Sequence, residues 1–215
     1  MTTLAESLNI GGLTPMTTVD YPGELSAVVF CQGCPWRCRY CHNGHLIPAS
    51  ADGQIRWPEV VAFLERRVGL LDAVVFSGGE PTLQSALPAA MEQVRSMEFK
   101  VGLHTAGPYP ERLRRLIPHL DWVGLDIKAL PDDYPGITGV PKSGEMAWES
   151  LRILLDAGVA LEVRTTLMPG WSREQVVGPL KTALDRAGVK NQVLQRCRTE
   201  STLDPSLVAI RHPSG

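Results

Sequence analysis

Short β-rich apolar runs alternate along this chain with stretches whose apolar residues recur at helical spacing. Leu25–Phe30 reads as a first strand and runs into a cysteine-rich loop. Pro58–Arg67 reads as a helix, with Pro58 in the first turn, where a missing N–H is tolerated, and Val60, Val61 and Leu64 on one side. Ala73–Phe76, Phe99–Thr105, Trp122–Ile127, Ala160–Thr166 and Gln192–Gln195 continue the strand series. Between them the pattern predicts helices over Leu87–Met97, Pro110–Ile117 and Glu145–Asp156. Ser172-Arg173-Glu174-Gln175 resembles a capping box that opens a last helix to about Ala187. Gly158 and Gly188 follow the final two helices as C-terminal breakers.

About six strand-then-helix units imply a parallel sheet with right-handed crossovers. The strands are apolar throughout, as expected of strands covered on both faces. Two architectures stay open on periodicity: an open doubly wound sheet and a curved, partly closed barrel. Either one gathers ligands at the carboxyl ends of its strands. The chemically notable residues fall there in succession. The cysteines follow strand one and Gly78-Gly79-Glu80 follows strand two. Thr105 follows strand three, Asp126 and Lys128 end strand four, and Arg164 lies late in strand five. Such a series predicts a single site.

Composition narrows the class. A chain of 215 residues suits one domain with a sizeable core. A formal net charge of −2 gives no electrostatic case for nucleic acid or an anionic membrane. No apolar run approaches the roughly 18 residues of a membrane span, and no basic-then-apolar leader opens the chain, so the expectation is a cytoplasmic protein.

Four of the five cysteines, Cys31, Cys34, Cys38 and Cys41, fall within eleven residues. An odd total, clustered in this way, argues for a metal site over a disulfide framework. Cys197 stands alone and reads as a small buried hydrophobe. The C-x3-C-x2-C spacing of Cys34, Cys38 and Cys41 brings soft sulfur ligands together, which selects zinc, copper(I) or an iron–sulfur cluster. Three arrangements stay open. Zinc could take a fourth ligand from Cys31, His42 or His45. All four cysteines could hold an electron-transfer cluster. Three thiolates on a [4Fe–4S] cluster would leave one iron open to a small molecule.

The local sequence then resembles a specific signature. Phe30-Cys31-Gln32-Gly33-Cys34-Pro-Trp-Arg-Cys38-Arg-Tyr40-Cys41-His42-Asn43 is similar to that of radical S-adenosylmethionine (SAM) enzymes, in particular the activases of glycyl radical enzymes. The resemblance implies one [4Fe–4S] cluster on Cys34, Cys38 and Cys41, with Cys31 left as a strand-end core residue. It implies a SAM site that includes Tyr40, Cys41 and His42, with Tyr40 helping to seat the adenine. Ser77-Gly78-Gly79-Glu80-Pro81, a plain turn if taken alone, resembles the segment whose backbone and carboxylate hold the methionine amino group. Asp126-Ile127-Lys128 resembles the D-x-K of the activases, and strand alternation places both charges on one face; a surface ion pair is the plainer reading. Thr105 matches a T-x-G segment, and Arg164 the strand-five arginine that reaches the carboxylate or ribose of the cosubstrate.

The implied fold is a partial (β/α)6 barrel of the radical SAM type. It would form one domain over residues 1–215, with 1–24 an N-terminal extension, 25–197 the barrel and 198–215 a tail. The implied activity is reductive cleavage of SAM to a 5′-deoxyadenosyl radical that leaves a glycyl radical on a partner enzyme. Gly11-Gly12-Leu13-Thr14-Pro15, Thr18-Val19-Asp20-Tyr21-Pro22-Gly23 and Gly102-Leu-His-Thr-Ala-Gly107 most resemble activases of anaerobic ribonucleoside-triphosphate reductase. Pyruvate formate-lyase is the alternative target, and flavodoxin a plausible electron donor. Arg37 and Arg39 could face an acidic donor or partner. Departures exist: His104 stands where some activases carry an acidic residue, and Gln195-Arg196-Cys197 occupies a region where some place a histidine. Competing readings are a small-molecule radical enzyme such as 7-carboxy-7-deazaguanine synthase, whose third cysteine is typically followed by Asp-Thr, and a zinc-binding module.

Overall fold

A computed structural model of the chain describes residues 3–51, 53–171, 176–199 and 202–209; the capping-box segment at 172–175 lies outside them. Seven strands form one sheet in the order β1-β2-β3-β4-β5-β6-β7, namely Ile10–Thr17, Ser26–Cys31, Ala73–Gly78, Lys100–Thr105, Trp122–Asp126, Ala160–Leu167 and Gln192–Arg196. β2 to β7 are parallel, each paired with the next in sequence, and β1 is antiparallel to β2. A doubly wound sheet needs a reversal of strand order, and this sheet has none. Successive crossovers of one hand therefore put the helices on one face and leave the other free, as in a partial barrel.

Strand alternation divides the side chains between these faces. Val29, Val74, Phe76, Leu103, Val123, Leu125 and Val163 join the main core with α1 (Trp57–Glu65), α2 (Leu87–Ser96), α3 (Pro110–Leu116), α5 (Ser143–Ala157) and α6 (Gly178–Ala187). On the inner face Tyr21, Val28, Ala73, Val75 and Trp122 make a small separate plug. The register stacks Val28, Val75, Gly102 and Trp122 in one layer of that face. Farther toward the strand ends the inner positions turn polar, with Ser77, His104, Asp126, Arg164 and Thr166. The apolar plug thus floors a polar cavity.

Among the described strands and α-helices, two lie outside the sequence expectations. β1 crosses residues read only as an extension, because Gly11, Gly12 and Pro15 give it little intrinsic strand character and its pairing with β2 is a tertiary choice. α4, Tyr134–Thr138, carries Pro135 and Gly136, which read as a turn. Among the described residues no helix is long and apolar enough to cross a membrane.

Leu103 is fully buried between the sheet and its helices. Leu103→Ala should lower unfolding free energy by about 3 kcal/mol through lost burial and a cavity. Urea denaturation checks this, with a lower midpoint and an unchanged slope expected.

Candidate active site

The cysteine loop is held on three sides by backbone and buried amides. Gly33 N–H donates to the Leu46 carbonyl (2.7 Å) and Cys34 N–H to that of Ile47 (3.0 Å). The Gln32 side chain, 5% exposed, donates to the carbonyls of His45 and Pro48. Arg37 and Arg39 N–H groups donate to Thr138 and Ile137 carbonyls, so α4 braces the far side. Tyr134 ties α4 to the end of β5: its hydroxyl accepts from Lys128 N–H (2.8 Å), and its ring meets Trp36 edge-on.

The Gly78-Gly79 turn packs backbone to backbone against this loop. Gly79 N–H donates to the Cys31 carbonyl and Glu80 N–H to that of Gly33. A Cβ at Gly78 would strike the Cys31 backbone and one at Gly79 the Gly33 carbonyl, and Gly78 has φ +117°. Only glycine fits both demands.

A cavity of about 900 Å³ opens at the strand ends. Its wall includes Cys34, Cys38 and Cys41, the segment Tyr40 to Asn43, Gly78, Gly79, Thr105, Asp126, Lys128 and Arg164. Every residue that the radical SAM resemblance assigns as a ligand or cofactor contact therefore meets there, with one exception. Glu80 does not line the cavity. It is 1% exposed, and its carboxylate accepts from Thr82 N–H and Oγ1, from Thr105 Oγ1 (2.7 Å) and from Ala106 N–H (3.0 Å). These hydrogen bonds make the carboxylate a buried brace between the turn after β3 and the end of β4. Burial raises its pKa, against the lowering effect of these hydrogen bonds. Cys31 also stays away from the cavity, fully buried in the main core.

Arg164 reaches the cavity from β6 with its guanidinium over the Trp122 ring, 5.1 Å from the centroid. Its Nε donates to Glu162 (2.7 Å) and Nη1 lies 3.1 Å from His104 Nε2. Gly124 makes this stack possible, since a Cβ there would sit 2.9 Å from Trp122 and 3.0 Å from Arg164. His104 Nε2 is also 2.8 Å from the Asp20 carbonyl. A bare Nε2 accepts from Arg164 and a protonated one donates to Asp20, so one tautomer serves only one of them. Lys128 is buried, with Nζ 3.0 Å from Asp126 and 5.4 Å from the centre of the Tyr40 ring.

A model of the radical SAM superfamily matches residues 28–182. The chain belongs to the radical SAM superfamily. A glycyl-radical enzyme activating enzyme of Methanocaldococcus jannaschii is 32% identical over 169 residues, 74% of this chain and 68% of that one. The pyruvate formate-lyase-activating enzyme of Clostridium pasteurianum is 34% identical over 173 residues, with the same two shares. The crystal structure of Streptococcus suis SuiB bound to S-adenosylmethionine shares the fold, with a TM-score of 0.64 at 14% identity over 80% of this chain. The chain spans 68% of the length of the two curated relatives and 40% of SuiB.

Radical SAM proteins use a [4Fe–4S] cluster and SAM, and the donor set here fits such a group. Three soft sulfurs face one cavity while a fourth is withheld. The buried Tyr40 hydroxyl has no hydrogen-bond partner among the described residues. No three His, Cys, Asp or Glu side chains among those residues gather tightly enough for a single metal ion. Burial pushes the Cys34 thiol up to about 12, helped by the nearby Glu80 carboxylate. Burial also raises Cys38 and Cys41, and the Lys128 ammonium opposes it at both. Loading iron would therefore displace protons from these thiols.

The sequence reading missed the supports of this site. Thr82, Tyr134 and Trp122 carry no motif, and only tertiary contact reveals them. Gln195 and Arg196, left without a role, line the cavity, and Cys197 both lines it and packs in the core.

His104 is neutral: burial first, then the Arg164 guanidinium, lowers it from 6.5 to about 4. The unfolded chain binds its proton at the higher value. Stability from this group is therefore complete above 6.5 and is lost as pH falls toward 4. In protein without its cluster, His104→Gln should remove on the order of 3 kcal/mol of that pH dependence. Urea titrations at pH 7 and 4.5 measure it.

Proposed function

We propose that this chain is a glycyl radical enzyme activase, with Cys34, Cys38 and Cys41 holding a [4Fe–4S] cluster and the rest of the cavity wall seating SAM. The observation that carries the reading is the sorting of the cysteines: three on the cavity and Cys31 in the core. Three thiolates leave one iron for a small chelating ligand.

The chain's own groups divide the remaining work. Gly78 and Gly79 present bare backbone to the amino end of the cosubstrate. Tyr40 offers an aromatic face and an unpartnered hydroxyl. Arg164, gripped at Nε and Nη1, keeps Nη2 for the carboxylate or ribose, with its plane fixed by Trp122. Asp126, the register partner of Arg164 on the next strand, forms a charged pair with Lys128, which is buried while Asp126 is partly open. His42 and Thr105 complete the rim, and Glu80 holds Thr105 from behind. A [4Fe–4S] cluster held there would supply the one electron that cleaves SAM to methionine and a 5′-deoxyadenosyl radical, the species able to take the α-hydrogen of a glycine on a partner.

Anaerobic ribonucleoside-triphosphate reductase is the target we favour, from the opening Gly-Gly-Leu-Thr-Pro segment and Gly102–Gly107. Pyruvate formate-lyase is the second reading, favoured by the 34% identity to the Clostridium pasteurianum activase. An acidic flavodoxin would suit the exposed Arg37 as electron donor.

Reconstituted protein should convert SAM to 5′-deoxyadenosine under reduction, and with the purified reductase it should generate a glycyl radical doublet by electron paramagnetic resonance. A doublet on pyruvate formate-lyase alone moves the target to the second reading, and no 5′-deoxyadenosine at all contradicts the activity. Cys34→Ala, Cys38→Ala and Cys41→Ala should each reduce cleavage to background, whereas Cys31→Ala should remain close to wild type.

A further inference from the structure

The two edges of the sheet are built differently. β1 is interrupted by register irregularities between Ile10 and Gly12 and between Thr14 and Thr17, contains Pro15, and bridges Ile55 through Ile10. Bulges, proline and a covering segment are devices that stop an edge from recruiting another strand. Among the described residues β7 has none of these. It pairs with β6 in unbroken register, carries no proline, and leaves Leu194 49% exposed. Among the described residues nothing pairs with its outer edge.

Hydrogen bonding shows which groups this edge presents. Val163 N–H donates to the Asn191 carbonyl, and Cys197 N–H donates to the Leu167 carbonyl. In a strand the N–H and C=O of one residue point the same way, and that direction alternates along the chain. Asn191, Val193, Gln195 and Cys197 therefore face β6. Gln192, Leu194 and Arg196 turn their backbone groups to the open side. The same strand runs into the cavity, whose wall includes Gln195, Arg196, Cys197 and Arg198. Arg196 and Arg198 are exposed and make no ion pair among the described residues.

We propose that β7 is a strand-addition site, where an extended acidic segment of the partner enzyme pairs with Gln192, Leu194 and Arg196 and is led into the cavity past Arg196 and Arg198. The proposal rests on the activase reading above and adds where the partner's chain is gripped. A reacting glycine has no side chain to recognise, so main-chain pairing beside it is an efficient means of placing it.

Leu194→Pro removes one outward N–H and no bond to β6, and proline is accommodated on edge strands in that orientation. Leu194→Thr keeps the N–H and changes only the side chain. Calorimetry with cluster-loaded protein would measure affinity for purified anaerobic ribonucleoside-triphosphate reductase and for pyruvate formate-lyase, with melting temperature reporting the fold of each variant. For whichever enzyme wild type binds, Leu194→Pro should weaken binding about tenfold or more, and Leu194→Thr about twofold or less. Binding should also weaken as salt rises. Hydrogen exchange on wild type should show the Leu194 and Arg196 amides protected by that enzyme, which keeps the proposal testable if the proline variant does not fold. Unchanged affinity in Leu194→Pro, equal loss in both variants, or no amide protection would overturn it. So would a wild-type dimer that Leu194→Pro splits, because the edge would then belong to a second copy. Wild type that cleaves SAM under dithionite yet binds neither enzyme overturns the edge proposal alone. Wild type that cannot cleave SAM overturns the reading beneath it.

Discussion

A buried carboxylate holds this site together. Glu80 sits at the end of β3 with almost no solvent contact, and such a charge is tolerable only if its lone pairs are filled. Thr82, Thr105 and Ala106 fill them, which locks the turn after β3 to the end of β4. With that turn fixed, Gly78 and Gly79 can lie against the backbone of Cys31 and Gly33. The cysteine loop takes its position from that seam and from α4 on its other side. Cys31 then points into the core while Cys34, Cys38 and Cys41 face the cavity.

The inner face of the sheet repeats the logic with a cation. Arg164 is anchored by Glu162, lies over Trp122 and is approached by His104, and the missing side chain of Gly124 makes room for the Arg164, Trp122 and His104 side chains together. Trp122 belongs to the apolar plug that floors the cavity, so the positioning of the guanidinium depends on hydrophobic packing below it. A single set of strands thus builds the main core with alternate residues and the chemistry with the others.

Much of this was legible in the chain. β2 to β6 are largely runs of β-branched and apolar residues bounded by turn formers, β7 keeps only Val193 and Leu194 of that pattern, and the radical SAM signature around the cysteines pointed to the fold. The strand order, which separates a barrel from a doubly wound sheet, was not in the periodicity; it came first from resemblance and then from the sheet itself. β1 was hidden because Gly11, Gly12 and Pro15 are poor strand formers, and α4 because Tyr-Pro-Gly resembles a turn. The direction of Glu80 was also hidden. A Gly-Gly-Glu motif fixes where the residue sits along the chain, and Thr82 and Thr105 decide which way its carboxylate turns.

The central claim is that three thiolates hold the cluster and leave one iron open. Anaerobically reconstituted, reduced protein should give a [4Fe–4S] electron paramagnetic resonance signal that changes when SAM is added, in wild type and in Cys31→Ala alike. A signal indifferent to SAM, or a Cys31→Ala protein unable to assemble the cluster, would contradict it and place Cys31 among the ligands.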